Sequence, residues 1–160
     1  TAAERADGGQ HLPTIMFRIT AEKCPAQSAL HWSSKVELLF SASEQSGQLF
    51  AWGLESQARK FVVRLHECGV TGLLELTKLS GKTSFLVTGS KDGNMCVWDM
   101  GAFIEGRKTA EESVRAHINA HEHGVHCIVY SEAQGLVFSA GVFKSKEKNT
   151  SDVLVWACDE

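Results

Sequence analysis

A cluster of metal-binding residue types lies between positions 117 and 127. It consists of His117, His121, His123, His126 and Cys127. Imidazole nitrogens and thiolates at such spacings can hold zinc. However, two adjacent residues of this cluster fall in an apolar, strand-like run, and neighbours in a strand point to opposite faces of a sheet. A shared metal site is therefore the weaker interpretation, and we expect no bound metal.

Two further patterns resemble catalytic or nucleotide-binding motifs. Gly81-Lys82-Thr83 imitates the end of a phosphate-binding loop, but that motif needs a glycine at position 76, where the chain has Leu76. No Gly-x-Ser-x-Gly nucleophile motif occurs, and the paired carboxylates Glu111 and Glu112 lie in a charged, solvated stretch. We therefore expect neither catalysis nor a cofactor.

The bulk composition is that of a soluble globular protein. The 160 residues are 43% hydrophobic and 22% charged, with a formal net charge of −3. This charge does not favour nucleic acid or an anionic membrane as a partner. No apolar run approaches the roughly 18 residues that cross a bilayer. The chain begins without a methionine, so we expect it to be a piece of a longer protein.

The cysteines indicate a reducing compartment. They are odd in number and widely spaced, and two of them lie in apolar strand patterns: Cys24, Cys68, Cys96, Cys127 and Cys158. A reduced cysteine in such a run acts as a small hydrophobic side chain. We expect a cytoplasmic protein, with the nucleus as the alternative.

The secondary-structure elements that position the candidate residues named above are predicted by an internal repeat. Three times, an apolar run ending in small residues is followed by a turn and an alternating run that closes with tryptophan: 38–52, 85–98 and 136–156. Trp52 and Trp98 are 46 positions apart, which fits four short strands. Trp98 and Trp156 are 58 positions apart, and insertions at 101–111 and 142–150 explain the excess.

Period-2 alternation predicts eleven strands in three units, about 28–65, 66–117 and 121–157. Another strand is predicted at 15–20, where it would finish a blade, either the one at 125–157 or the preceding blade of a larger ring. Residues 1–14 are small, polar and charged, which is typical of a flexible N-terminal segment.

The units resemble the WD40-repeat family. The second unit has a His-x-x-x-Val start at 66–70, the run Thr-Gly-Ser-Lys-Asp-Gly at 88–93 and the Trp-Asp dipeptide at 98–99. The third unit has a similar start at 121–125 and ends on Val155-Trp156 without the aspartate. The first unit lacks the opening histidine. The resemblance implies an all-β fold, a partial β-propeller of about three four-stranded antiparallel blades.

The resemblance also implies a hydrogen-bonded network of His, Ser or Thr, Asp and Trp inside each blade. In the second blade this network would use His66, Asp92, Trp98 and either Thr88 or Ser90. In the third blade it would use His121, Ser139 and Trp156, with Asp152 as a stand-in for the displaced aspartate. These residues would have a structural role.

Recognition is then left to the loops and insertions. Phe103 and Ile104 in the first insertion either pack back onto the propeller or contact a partner. Lys144, Lys146 and Lys148 in the second insertion could contact an acidic partner or phosphate.

The predicted function is a non-catalytic protein–protein interaction scaffold within a multi-protein assembly. Alternatives are a propeller with a ligand, metal or catalytic site, and a reader of modified peptides or ubiquitin. Three blades leave two open faces, so the expected partners are other proteins, further blades of a parent chain or a second copy of this chain. The third unit also resembles multi-propeller proteins of cilia, which adds the cilium as a location.

Overall fold

The computed structural model describes residues 15, 16, 18, 19, 21, 23–77, 85–144 and 149–158. Eleven strands and one short helix form in these ranges. In chain order they are β1 (Ala29–Ser33), β2 (Leu38–Ala42), β3 (Gln48–Gly53), β4 (Ala58–Arg64), β5 (Val70–Leu76), β6 (Phe85–Ser90), β7 (Asn94–Asp99), α1 (Met100–Ile104), β8 (Val114–Asn119), β9 (Val125–Ser131), β10 (Leu136–Lys144) and β11 (Asn149–Ala157).

The strands form three antiparallel meander sheets. Sheet 1 has the order β1-β2-β3-β4, sheet 2 has β5-β6-β7-β8, and sheet 3 has β11-β10-β9. The expected all-β architecture of antiparallel blades with about four strands is confirmed. Each sheet forms because apolar residues alternate along short strands that tight turns join, so sequential neighbours can pair.

The three sheets stack side by side in chain order. We call the face of each sheet that carries Trp52, Trp98 or Trp156 its Trp face, and the opposite face its back face. The Trp face of sheet 2 packs on the back face of sheet 1, where Trp98 and Leu86 meet Phe40 and Ala51. The Trp face of sheet 3 packs in the same way on the back face of sheet 2. The innermost strands β1, β5 and β9 contact one another in turn, as blades around a hub do.

Polar contacts tie the innermost strands together. The buried carboxylate of Glu75 on β5 accepts a hydrogen bond from Ser33 Oγ at 3.1 Å and lies 3.2 Å from His31 Nε2, both on β1. On the other side of β5, the Thr71 hydroxyl donates to the Val125 carbonyl of β9. Because buried polar groups without partners are costly, these contacts fix the relative position of neighbouring blades.

The strand expected at 15–20 is not found among the described residues of that stretch. Ile15, Met16, Arg18 and Ile19 lie outside any strand. Ile19 lines a groove with Trp52 on the Trp face of sheet 1. That this segment finishes a blade, either the one at 125–157 or the preceding blade of a larger ring, stays a prediction. The expectation for residues 1–14 lies outside the described residues.

Both insertions contain regular structure. The first begins with helix α1. The second continues the strands, since β10 and β11 pair from Leu136↔Ala157 as far as Lys144↔Asn149. The β-hairpin of sheet 3 therefore extends into the predicted insertion at 142–150 from both sides.

Candidate functional site

The most complete polar network lies in sheet 3. Asp152 Oδ1 accepts from His121 Nδ1 at 2.6 Å, so His121 Nε2 is free to accept from the Ser139 hydroxyl at 2.8 Å. Ser139 Oγ in turn accepts from Trp156 Nε1 at 2.9 Å. His121 and Ser139 are buried, and every group in this chain of hydrogen bonds has a partner. Asp152, the predicted stand-in for the displaced aspartate, therefore lies in the network.

The long hairpin explains how Asp152 reaches His121. It faces Gly141 across the β10–β11 ladder, so it projects from a strand rather than from a turn. A Cβ atom at Gly141 would lie 2.3 Å from His121 Cγ and 2.6 Å from the Gly124 carbonyl oxygen. Only glycine leaves space for the imidazole at this position.

The network in sheet 2 has a different arrangement. His66 Nε2 and Thr88 Oγ1 are hydrogen-bonded at 2.6 Å. Thr88, and not Ser90, is therefore the hydrogen-bond partner of His66. Trp98 Nε1 donates to the Ala110 carbonyl oxygen at 3.1 Å, so the insertion, and not Thr88, satisfies this indole.

Burial controls the charge of His66. Desolvation lowers the pKa of His66 from 6.5 to about 4, although the nearby charge of Asp92 opposes the shift. The pKa of Asp92 is lowered from its usual value. Partial burial opposes this shift, but hydrogen bonds from the backbone N–H of Asn94 and from the side chains of Asn94 and Ser90 stabilise the carboxylate. His66 is therefore neutral near pH 7 and serves as a hydrogen-bonding group.

Sheet 1 contains a network that the sequence reading missed. Trp52 Nε1 donates to Ser41 Oγ at 2.7 Å, and the Ser41 hydroxyl donates to Gln27 Oε1 at 2.6 Å. Gln27 Nε2 is anchored on the Pro25 carbonyl oxygen at 2.6 Å. Gln27 thus has the role that histidine has in the other two sheets. The signal in the sequence is the place of Gln27 just before the first strand, where the other two units have histidine before theirs.

The first insertion packs across the seam between sheets 1 and 2. Phe103 of α1 lies with its ring centroid 5.1 Å from Phe61 of β4 and 5.2 Å from Trp98 of β7. Asp99 caps the helix by accepting from the Ala102 N–H at 3.0 Å. Of the two predicted contact residues, Phe103 therefore packs back onto the sheets, whereas Ile104 is 38% exposed.

The second insertion forms a projecting β-arm. The corresponding hairpins in sheets 1 and 2 end at the pairs Ala42↔Leu49 and Gly89↔Met95. In sheet 3 the ladder continues for four pairs beyond Ala140↔Val153, which extends it by roughly 13 Å. We call residues 141–144 and 149–152 the arm. Lys144 is the last residue of β10, and Lys146 and Lys148 lie outside the described residues.

The histidine and cysteine cluster is dispersed in the structure. His121 is buried in its network, whereas His117, His123, His126 and Cys127 are exposed. Within the described ranges, no three His, Cys, Asp or Glu residues meet at metal-binding distance. The Gly81-Lys82-Thr83 stretch lies outside the described residues.

Comparison with known proteins identifies the repeat. The family model "WD domain, G-beta repeat" matches residues 58–99, which run from β4 through the strand that ends in the Trp-Asp dipeptide. Residues 58–99 are therefore a WD40 repeat. The match to this family agrees with the stacking of the three sheets and with their Trp-centred networks.

One curated relative is the pre-rRNA-processing protein crb3/ipi3 of Schizosaccharomyces pombe. It is 26% identical over 150 residues, which cover 91% of this chain and 29% of the relative. A chain from a crystal structure of the mitotic checkpoint complex has a TM-score of 0.57 at 16% identity, covering 82% of this chain and 34% of that one. This WD40 chain thus spans about a third of the length of these proteins or less. Within its described part, no helix has the length and apolarity of a membrane span.

Proposed function

We propose that this WD40 propeller segment is a non-catalytic protein–protein interaction scaffold in a larger multi-protein assembly. The positions of residue types that are often catalytic support this proposal. His66, His121 and Ser139 are buried and hydrogen-bonded within single blades. They present no reactive group to a substrate. Recognition then falls to features that differ between the blades.

The observation that carries the proposal is the arm of sheet 3. It extends about four residue pairs beyond the corresponding hairpins, and its base is braced by hydrogen bonds between Val142 and the 121–124 turn. These hydrogen bonds fix the base of the arm on sheet 3, so its described strands lose little conformational freedom on binding. The tip sequence includes Lys144, Lys146 and Lys148, so we propose an acidic protein surface as its partner.

The two insertions have separate roles in this proposal. Phe103 stabilises the seam between sheets 1 and 2, and the exposed Ile104 is available for a partner. We propose that partner binding depends mainly on the arm. The relative's name refers to pre-rRNA processing, which takes place in the nucleus, so we propose the nuclear alternative for location in preference to the cytoplasm.

Quantitative proximity labelling in cells tests the scaffold function. We expect the triple variant Lys144→Glu, Lys146→Glu, Lys148→Glu to lose at least tenfold labelling of a defined set of proteins. A charge-reversal control, Arg107→Glu with Lys108→Glu, changes exposed or half-exposed residues of the other insertion and should leave that set unchanged. Equal loss in both variants, or no loss in the triple variant, would contradict binding through the arm.

A further inference from the structure

A groove opens at the outer rim of the seam between sheets 1 and 2. The outermost strands there are β4 and β8, and sheets that radiate from a hub diverge towards the rim. At one end of this gap the first insertion fills the space, where Phe103 lies against Phe61 and Trp98. From Ala110 to His117 the gap is open and forms a cavity of about 610 Å³. Both walls of the cavity belong to the described part of this chain.

The groove combines apolar surface with excess negative charge. Leu65 and Val114 line it and also pack in the apolar seam between the two sheets. Among the described residues that line it, carboxylates outnumber fixed cations: Glu67, Asp92 and Glu111 against Arg64. Arg64 lies 3.5 Å from Glu67, so these two charges offset each other. The carboxylates of Asp92 and Glu111 therefore leave the groove acidic.

These two carboxylates lie at opposite ends of the groove. Asp92 accepts from the Asn94 N–H at 3.0 Å, and Asn94 pairs with Asn119 at the end of β8. Glu111 adjoins the start of β8, since its carbonyl oxygen accepts from the Val114 N–H at 3.2 Å. The five steps from Val114 to Asn119 span roughly 15 Å along a strand. The Glu111 carboxylate is exposed and has no hydrogen bond or ion pair within the described ranges.

We propose that this groove binds an extended basic segment of a partner protein, with two arginine or lysine residues four positions apart. In an extended chain, residues i, i+2 and i+4 share one face, and i and i+4 are roughly 13 Å apart. The two cations then reach Asp92 and Glu111. Their aliphatic stems, and an apolar side chain at i+2, lie on Leu65 and Val114. This is a second docking surface, and it prefers the opposite charge to the arm.

Fluorescence anisotropy with synthetic peptides tests the site. The probe is fluorescein-labelled Gly-Arg-Thr-Val-Thr-Arg-Gly. Its matched control, Gly-Arg-Arg-Val-Thr-Thr-Gly, has the same composition and charge but adjacent arginines. The unmodified chain should bind the probe about fivefold or more tightly than the control. Raising sodium chloride from roughly 50 mM to roughly 300 mM should weaken probe binding about threefold or more, because salt screens the charges.

Variants of exposed residues locate the binding site. Glu111→Gln removes one of the two carboxylates and should raise the dissociation constant of the probe about fivefold or more. His117→Arg adds a cation to the groove and should also weaken binding. The control is Glu132→Gln in the exposed turn between β9 and β10, which removes the same charge elsewhere and should change the dissociation constant less than about twofold. Far-UV circular dichroism verifies the fold of each variant.

Three results would overturn the inference. They are no binding of the probe at roughly 1 mM protein, equal binding of the two peptides, and equal effects of Glu111→Gln and Glu132→Gln. Equal binding of the peptides would mean that the chain attracts cations without reading their spacing. None of these measurements changes the lysines of the arm, so the scaffold proposal is tested separately.

Discussion

Acidification should destabilise the protein through His66, and the size of the effect follows from its buried position. The pKa of this imidazole is lowered from 6.5 to about 4, chiefly by burial. Between these values the unfolded chain binds a proton that the folded chain excludes, so stability falls as pH falls. The contribution is fully present above pH 6.5 and is lost as the pH falls towards 4. Between pH 7.5 and pH 4.5 the loss is about 2.5 kcal/mol.

The structure offers a matched variant for this experiment. In sheet 1, Gln27 accepts a hydrogen bond from Ser41 in the place where sheets 2 and 3 have histidine. We therefore expect His66→Gln to keep a hydrogen bond to Thr88 while removing the titrating group. Both proteins keep all other carboxylates and histidines, so the difference between them reports on His66 and its charge interactions.

The assay is urea denaturation followed by tryptophan fluorescence at several pH values between 7.5 and 4.5. The free energy of unfolding of the unmodified protein should fall by about 2.5 kcal/mol more than that of His66→Gln over this range. If the two free energies fall in parallel, within about 0.5 kcal/mol, then His66 does not titrate as a buried neutral imidazole and the reasoning is refuted.

Three further outcomes are expected. Ser139→Ala removes the hydroxyl that links an imidazole and an indole, and should lower the free energy of unfolding by about 2–4 kcal/mol in denaturant titrations; a change below about 0.5 kcal/mol would argue against the network. Gly141→Ala forces a methyl group to within 2.3 Å of the His121 ring, and should lower the thermal midpoint by at least about 5 °C in calorimetry. Burial raises the pKa of the Cys96 thiol to about 12, so a thiol reagent should modify the exposed Cys68 quickly and Cys96 only on unfolding.

The local pattern of the sequence determined the strands, the repeat and the family resemblance. Alternation of apolar residues and the turn residues between them act over a few positions, so they can be read without knowledge of packing. Tryptophan at the end of each third strand marked the repeat, and the histidines at 66 and 121 marked the starts of two units. For the same reason Ser139 and Trp156 could be named as network members from their places in the repeat, with Thr88 and Ser90 as alternatives for the second blade.

The partners of these side chains were decided by the tertiary structure. The Trp98 indole donates to the Ala110 carbonyl oxygen because the first insertion folds back over the seam between sheets 1 and 2. Asp152 accepts a hydrogen bond from His121 because the second insertion lengthens β10 and β11. Gln27 replaced a histidine because an amide oxygen can accept the same hydrogen bond from serine. Each of these contacts joins residues whose separation depends on strand register and on how insertions pack. Local propensity does not encode strand register or the packing of insertions. These hydrogen-bond partners are therefore visible only in the folded structure.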